Sequence, residues 1–141
     1  KTLSRFVTPI DQMKRIGSGI GISGGALSGT LAFDMEDINA IRRKDPQEKI
    51  VLVRPDTVPD DIPLIFNCDG LITAKGGATS HAAVTAAGLG KVCIVGCKGL
   101  AVDDAGKRCA VNGKPYALGD KISIDGSLGF IYEGFHEVQI E

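Results

Sequence analysis

The chain has 141 residues, 43% of them hydrophobic, and a formal net charge of −1 at pH 7. This length fits one domain, and the apolar content is sufficient for a hydrophobic core. The near-neutral charge argues against nucleic-acid and membrane partners, because both need a basic surface. No apolar run reaches the length of a membrane span, and no signal-peptide pattern is present. We therefore expect a cytoplasmic domain.

Residues 1–13 lack a clear periodicity and include Pro9, which predicts a linker or flexible tail before a domain over 14–141. The glycine-rich segment 17–25 has neither the Gly-Lys-Ser/Thr ending of a P-loop nor the G-x-G-x-x-G placement between a strand and a helix. We predict a tight turn or bulged hairpin there, leading into a strand over 27–33.

The middle of the chain alternates between strand and helix patterns. Asp34 can cap a helix over 35–44, and apolar runs predict strands over 49–53, 70–73 and 92–95. A short helix over 60–66 and a second one, capped by Thr79 or Ser80 and running to about 87, connect these strands. This alternation is typical of a parallel α/β unit.

The last third contains turn signals such as Asn112-Gly113 and Asp125-Gly126 between short strands, for example over 121–124 and 130–132. These signals predict β-hairpins. Asp103 and Asp104 are interpreted as a solvated turn, and His136 as an exposed strand or tail residue.

Four cysteines lie among apolar neighbours. Cys93 and Cys97 are separated by three residues, a wider spacing than that of metal-binding or redox pairs. We expect Cys68, Cys93, Cys97 and Cys109 to be reduced, mostly buried thiols, and we expect no metal site.

One of only two histidines follows a diglycine and two hydroxyl residues, in the order Gly76-Gly77-Ala78-Thr79-Ser80-His81. This arrangement places an imidazole at the start of a helix, where unpaired backbone N–H groups and the helix dipole favour negative charge. A histidine that accepts a phosphoryl group needs a neutral ring, clearance for an in-line donor and support for the anionic product. The glycines and hydroxyls meet these needs.

Two other interpretations of this segment remain. Adjacent Ser80 and His81 suggest a Ser–His hydrolase, but neighbouring helical positions point in different directions and the G-x-S-x-G elbow is missing. A polar surface histidine beside a helix cap fits the residues as well, and chemistry alone leaves that interpretation open.

Residues 73–84 (TAKGGATSHAAV), followed by GLGK at 88–91 and VGC at 95–97, closely resemble the phosphohistidine domain of the PEP-utilising enzymes. The segment over 51–62 resembles the same family, and the resemblance extends from about residue 17 to 134. Within the family it is nearest to pyruvate, phosphate dikinase and phosphoenolpyruvate synthase. The fold that it implies is a swivelling (mobile) β/β/α domain with a mixed sheet layer and C-terminal hairpins.

The resemblance implies that His81 carries a phosphoryl group between an ATP-grasp nucleotide-binding domain and a barrel domain that binds pyruvate or PEP. Gly76, Gly77, Thr79 and Ser80 would then support the phosphoryl site. The two partner domains, in the same parent chain or separate, would hold ATP and Mg²⁺, and this chain would bind no cofactor. It would be part of a phosphotransferase and would not turn over alone.

Further implications concern single positions. Thr79 matches a regulatory phosphorylation site of plant-type relatives, although a helix cap also fits. Many relatives carry Met or Arg at Ala78 and Arg at Ala87, so Arg54 or Lys75 would have to supply charge support. These departures favour, as an alternative, a non-catalytic docking or regulatory module. A stand-alone binder that uses residues 17–25 as an anion loop is a third hypothesis.

Overall fold

The computed structural model describes residues 4–140. Three helices lie in this range, α1 (Met35–Lys44), α2 (Ile62–Asn67) and α3 (His81–Gly88). Short 3₁₀ turns cover Ile10–Gln12 and Pro59–Asp61. The strands are β1 (Ser4–Phe6), β2 (Arg15–Ser18), β3 (Ile20–Ser23), β4 (Ala26–Ala32), β5 (Ile50–Arg54), β6 (Gly70–Thr73), β7 (Val92–Val95), β8 (Leu100–Asp103), β9 (Arg108–Val111), β10 (Lys114–Ala117), β11 (Lys121–Asp125), β12 (Phe130–Glu133) and β13 (Val138–Ile140).

The centre of the fold is a parallel run of β4, β5, β6 and β7, with one helix in each connection. Successive side chains of a strand point to opposite faces. Val51 and Val53 therefore join one buried cluster, and Ile50 and Leu52 join another, which packs against the helices. The parallel α/β unit predicted from the alternating pattern is confirmed. Burial of both faces explains why β5 and β7 contain continuous apolar runs in the sequence.

The two edge strands of the eight-stranded sheet are consecutive in the chain. The strand order of this sheet is β2-β12-β11-β4-β5-β6-β7-β3, so β2 and β3 lie at opposite edges. Only Gly19 separates them in the chain, which keeps Ser18 and Ile20 within about 7 Å of each other. The sheet is therefore curved enough to bring its two edges together at Gly19. The predicted hairpin over 17–25 is therefore wrong, because β2 pairs with β12 and β3 with β7 rather than with each other.

The last third forms hairpins, as predicted. β11 pairs with β12, while β8, β9 and β10 form a separate antiparallel sheet. The turn between β9 and β10 consists of Asn112 and Gly113, both with positive φ, as a two-residue hairpin turn requires. The result is a mixed α/β architecture with a mixed sheet.

Residues 4–13 are attached to the rest of the fold, which differs from the expected flexible tail. β1 pairs with β13, the Phe6 ring packs edge-on against Tyr132 at 5.8 Å, and Met13 is buried. Apolar contacts supplied by the far end of the chain order this segment. The domain boundary at residue 14 stays a prediction, and residues 1–3 lie outside the described residues.

All four cysteines are free and buried, which confirms their predicted state. None of the helices within residues 4–140 combines the length and the apolar character needed to cross a membrane.

Candidate functional site

The candidate site lies at the carboxyl edge of the parallel strands. β5 ends at Arg54, directly beside Thr73 at the end of β6, and the loop after β6 leads to His81, the first residue of α3. Open α/β sheets bind ligands at this edge, outside the carboxyl ends of the strands. Parallel pairing thus brings two segments that are distant in sequence, 54–57 and 74–81, to the same place.

Thr57 and His81 form the central contact. Thr57 Oγ1 lies 3.2 Å from His81 Nδ1, and Thr57 is buried whereas His81 is only half-buried. Within residues 4–140, no hydrogen bond engages the other ring nitrogen, Nε2. The ring is therefore anchored at one nitrogen, and the second retains its capacity for chemistry.

The helix start is built as the sequence predicts. The Ser80 side chain accepts a hydrogen bond from the Ala83 amide (3.3 Å), which makes Ser80 rather than Thr79 the cap. Thr79 is exposed. The amides of the first helical turn have no intrahelical acceptor, and they give this end of α3 a partial positive charge.

The diglycine has two different roles. Gly76 adopts a φ of +104°, and a Cβ there would lie 3.0 Å from Ser80 Oγ. A Cβ at Gly77 would meet nothing within 4 Å. Gly76 is thus required by backbone conformation and close packing, and Gly77 leaves open space beside the loop that leads to His81.

Backbone hydrogen bonds fix the loop between β6 and α3. The buried Thr73 hydroxyl donates to the Lys75 carbonyl (2.7 Å), which also accepts from the Gly96 amide (3.3 Å). The Lys75 amide donates to the Pro55 carbonyl (3.0 Å). These three hydrogen bonds hold the loop against neighbouring segments, and Lys75 is exposed beside it.

Arg54 is less available than Lys75 for charge support. Its Nη1 donates to the Phe33 carbonyl (2.9 Å) and lies 3.5 Å from Asp104, and its Nη2 lies 3.5 Å from Asp61. In this arrangement the guanidinium is committed to protein acceptors. Support of a phosphoryl group by Arg54 or Lys75 stays a prediction.

Ala78 and Ala87, where the resemblance implies a different residue in many relatives, lie in different surroundings. Ala78 lies in the exposed turn before the helix. Ala87 lies six residues along α3 from His81, about 9 Å by the helical rise, and lines a cleft with Gly25 and Ser127. The residue at position 87 thus belongs to the opposite end of the helix.

Acidic groups near this edge are neutralised from within the chain. Asp34, Glu36 and Asp37 lie close together at the start of α1, and the Lys107 ammonium bonds both Asp34 and Asp37. Burial alone would raise the pKa of Asp34. The hydrogen bonds from Lys107 and from the Asp37 amide outweigh burial and lower that pKa.

Asp103 and Asp104 are exposed at the turn between β8 and β9, as predicted, whereas His136 differs from its prediction. Asp103 closes a turn by accepting from the Gly106 amide (3.0 Å). His136 is half-buried rather than exposed, with Nε2 donating to the Glu133 carbonyl (3.1 Å). That carbonyl fixes the proton on Nε2 of His136.

The Cys97 thiol, in the loop that contacts the end of β6, is a poor nucleophile at neutral pH. The Cys97 amide donates to the Thr73 carbonyl (3.0 Å), and burial raises the pKa of the Cys97 thiol to about 12. The thiolate is the reactive form of cysteine. His81 is therefore the stronger nucleophile candidate at this edge.

Thr57 and Asp61 are the site residues that sequence reasoning missed. Both lie in the segment over 51–62 that resembles the family, and the sequence analysis assigns neither of them a role at the site. The signal for Thr57 is its position. It lies three residues after the end of β5, and β5 pairs with β6, the strand that precedes His81.

Fold and site together define a class of domain: an α/β domain with a mixed sheet that presents one half-buried imidazole at a helix start, at the carboxyl edge of its parallel strands. The chain belongs to the family of PEP-utilising enzyme mobile domains, whose model matches residues 46–129. This match confirms the family resemblance of the motif.

Relatives that cover most of the chain support the same assignment. It is 40% identical over 124 residues to pyruvate, phosphate dikinase of Clostridium symbiosum and 41% identical over 123 residues to that of Entamoeba histolytica. These alignments cover 88% and 87% of this chain but only 14% and 13% of the relatives. The chain thus corresponds to a small part of each of these proteins.

Proposed function

We propose that this domain carries a phosphoryl group on Nε2 of His81. The observation that supports the proposal is the ring's asymmetry: Nδ1 lies 3.2 Å from the Thr57 hydroxyl, and Nε2 has no hydrogen-bond partner within residues 4–140. A neutral imidazole has one protonated and one unprotonated nitrogen. In the tautomer that we propose, Nδ1 donates its proton to Thr57 Oγ1, and the Nε2 lone pair is available for in-line attack.

In the transfer step, the Nε2 lone pair forms a bond to phosphorus while the bond from phosphorus to the donor's leaving oxygen breaks. The Nδ1 proton stays on the ring, hydrogen-bonded to Thr57, so the ring is cationic while it carries the phosphoryl group. The onward step reverses this change. The acceptor oxygen bonds to phosphorus, the N–P bond breaks, and the ring leaves as neutral imidazole. Amides and hydroxyls at the start of α3 stabilise the anionic phosphoryl oxygens.

The parent reaction is that of a pyruvate, phosphate dikinase or phosphoenolpyruvate synthase-like phosphotransferase. In this proposal, His81 moves between an ATP-grasp domain and a barrel domain that binds pyruvate or PEP. ATP and Mg²⁺ are bound by those domains, and this chain swivels between them without catalysing turnover alone. The relatives named pyruvate, phosphate dikinase, of which this chain spans only a small part, support this division of labour.

The test is transfer from radiolabelled phosphoenolpyruvate in the presence of the partner domains of a dikinase. We expect acid-labile label on the wild-type chain and none on His81→Ala. His136→Ala is the matched control and retains the label, because it removes the only other histidine. Equal labelling of His81→Ala, or no labelling of the wild type, would refute the carrier function and favour a docking module.

A further inference from the structure

The end of β5 carries an arginine with an unusual set of contacts. Arg54 is largely buried, with 18% of its side chain exposed, and its Nη1 donates to the Phe33 carbonyl (2.9 Å). Its Nε is buried and has no hydrogen-bond partner in the part of the chain that the structure describes. The orientation of the guanidinium is therefore determined by its two Nη groups.

Asp61 connects this guanidinium to the loop beyond Thr57. One carboxylate oxygen, Oδ1, lies 3.5 Å from Arg54 Nη2, and the other, Oδ2, accepts from the Val58 amide (3.1 Å). Only 9% of the Asp61 side chain is exposed. The Arg54–Asp61 pair therefore closes the base of segment 55–60, and Thr57 lies inside the closed segment.

The same segment also determines the position of the loop that carries the histidine. The Arg54 carbonyl accepts from the Ala74 amide (3.3 Å), and the Pro55 carbonyl accepts from the Lys75 amide (3.0 Å). Both members of the Thr57–His81 contact are thus attached to the backbone that Arg54 and Asp61 hold.

We infer that Arg54 and Asp61 are positioning residues for the proposed phosphoryl transfer, an inference that rests on the proposed function. By holding the loop at Val58, they keep the Thr57 hydroxyl beside Nδ1 of His81, where it accepts the Nδ1 proton in the proposed tautomer that leaves Nε2 unprotonated. No hydrogen bond joins either residue to the imidazole within residues 4–140, so they act through Thr57.

Asp104 provides a matched control. It lies as close to Arg54 as Asp61 does, 3.5 Å from Nη1, but it is 49% exposed and belongs to the turn between β8 and β9. Removing its charge weakens the ion pairing of Arg54 without releasing Val58. A general electrostatic effect on the site would appear in Asp61→Asn and Asp104→Asn alike, whereas a positioning effect would appear only in Asp61→Asn.

The experiment is nitrogen NMR of the two imidazoles at neutral pH, together with the rate of His81 phosphorylation. His136 serves as an internal reference, because its Nε2 donates to a carbonyl and must carry the proton. In the wild type we expect the opposite tautomer for His81. Asp61→Asn and Arg54→Met should shift His81 toward a mixture of tautomers and slow phosphorylation about tenfold, the effect of losing one hydrogen bond.

Asp104→Asn should change neither measurement, and Arg54→Lys should restore part of the wild-type tautomer population. Asp61→Asn is isosteric, so it keeps the test valid if Arg54→Met does not fold. Wild-type nitrogen shifts in Asp61→Asn, or an equal change in Asp104→Asn, would overturn the inference. Failure of the proposed function is a separate result, because a wild-type chain that takes no label would still show the His81 tautomer by NMR.

Discussion

Thr57 and His81 are 24 residues apart in the chain, yet Thr57 Oγ1 lies 3.2 Å from His81 Nδ1. Parallel pairing of β5 with β6 produces this contact, because it brings the ends of the two strands side by side. The segment after β5 then reaches the helix that follows β6. The Thr57 hydroxyl, in the connection from β5 to β6, thus orients the His81 ring, which lies in the connection from β6 to β7.

Replacing Thr57 by valine removes the hydroxyl and preserves the branched shape. We expect phosphorylation of His81 to slow about tenfold, since a hydrogen bond of this kind contributes about 1 kcal/mol. Rapid-quench measurement of acid-labile label gives the rate. Thr57→Ser keeps the hydroxyl and should remain near the wild-type rate. An unchanged rate in Thr57→Val would show that the hydroxyl does not orient the ring.

The two glycines of the motif should respond differently to alanine. Gly76→Ala forces a side chain into a φ of +104° and against Ser80 Oγ, so we expect a loss of about 1–3 kcal/mol of unfolding free energy. The methyl group of Gly77→Ala would lie in open space, so this variant should change the unfolding free energy by less than about 1 kcal/mol. Urea denaturation of both variants measures the difference. Equal losses would contradict the assigned roles.

The helix cap provides a third test. Ser80→Ala removes the acceptor of the Ala83 amide and should lower the unfolding free energy by about 1 kcal/mol. Thr79→Ala is the neighbouring control, and as an exposed substitution it should cost no more than about 0.5 kcal/mol. Thermal unfolding monitored by circular dichroism measures the loss of stability in both variants. A larger loss in Thr79→Ala would move the cap to that residue.

The elements that sequence predicted best are those with local causes. Helix α1 has the predicted bounds, because the Asp34 side chain caps it by accepting from the Asp37 amide (3.0 Å). Strands β6 and β7 also match, since each is a short apolar run with turn residues on both sides. Caps, turns and apolar runs act within a few residues, so a single chain segment contains their full signal.

The remaining features depend on contacts between distant segments. The approach of the two sheet edges at Gly19 follows from the pairing of β2 and β3 with different partners, which no local pattern encodes. β1 forms only because β13, from the far end of the chain, lies beside it. The contact between Thr57 and His81 likewise needs the register of β5 against β6. His81 itself could be selected from the motif, but its hydrogen-bond partner could not.

The buried thiols make stability depend on pH in the alkaline range. Burial raises the pKa of Cys68, Cys93 and Cys97 to about 12 and that of Cys109 to about 11, whereas thiols in an unfolded chain ionise near 8.5. Between these values the unfolded chain has released protons that the folded chain retains. The contribution of these thiols to the free energy of unfolding is therefore fully present below about pH 8.5, and it declines as the pH rises toward 12.

We accordingly expect the urea midpoint to fall between pH 8 and pH 10.5, and the native chain at pH 8 to resist a thiol reagent that labels the unfolded chain fully. Burial also raises the pKa of Tyr116 to about 12, which acts in the same direction, so a thiol-specific control is needed. Cys97→Ala removes one ionising group. It should lower stability at pH 8 through lost packing yet show a shallower decline at high pH. A decline as steep as that of the wild type would mean that the Cys97 thiol is not protected in the folded state.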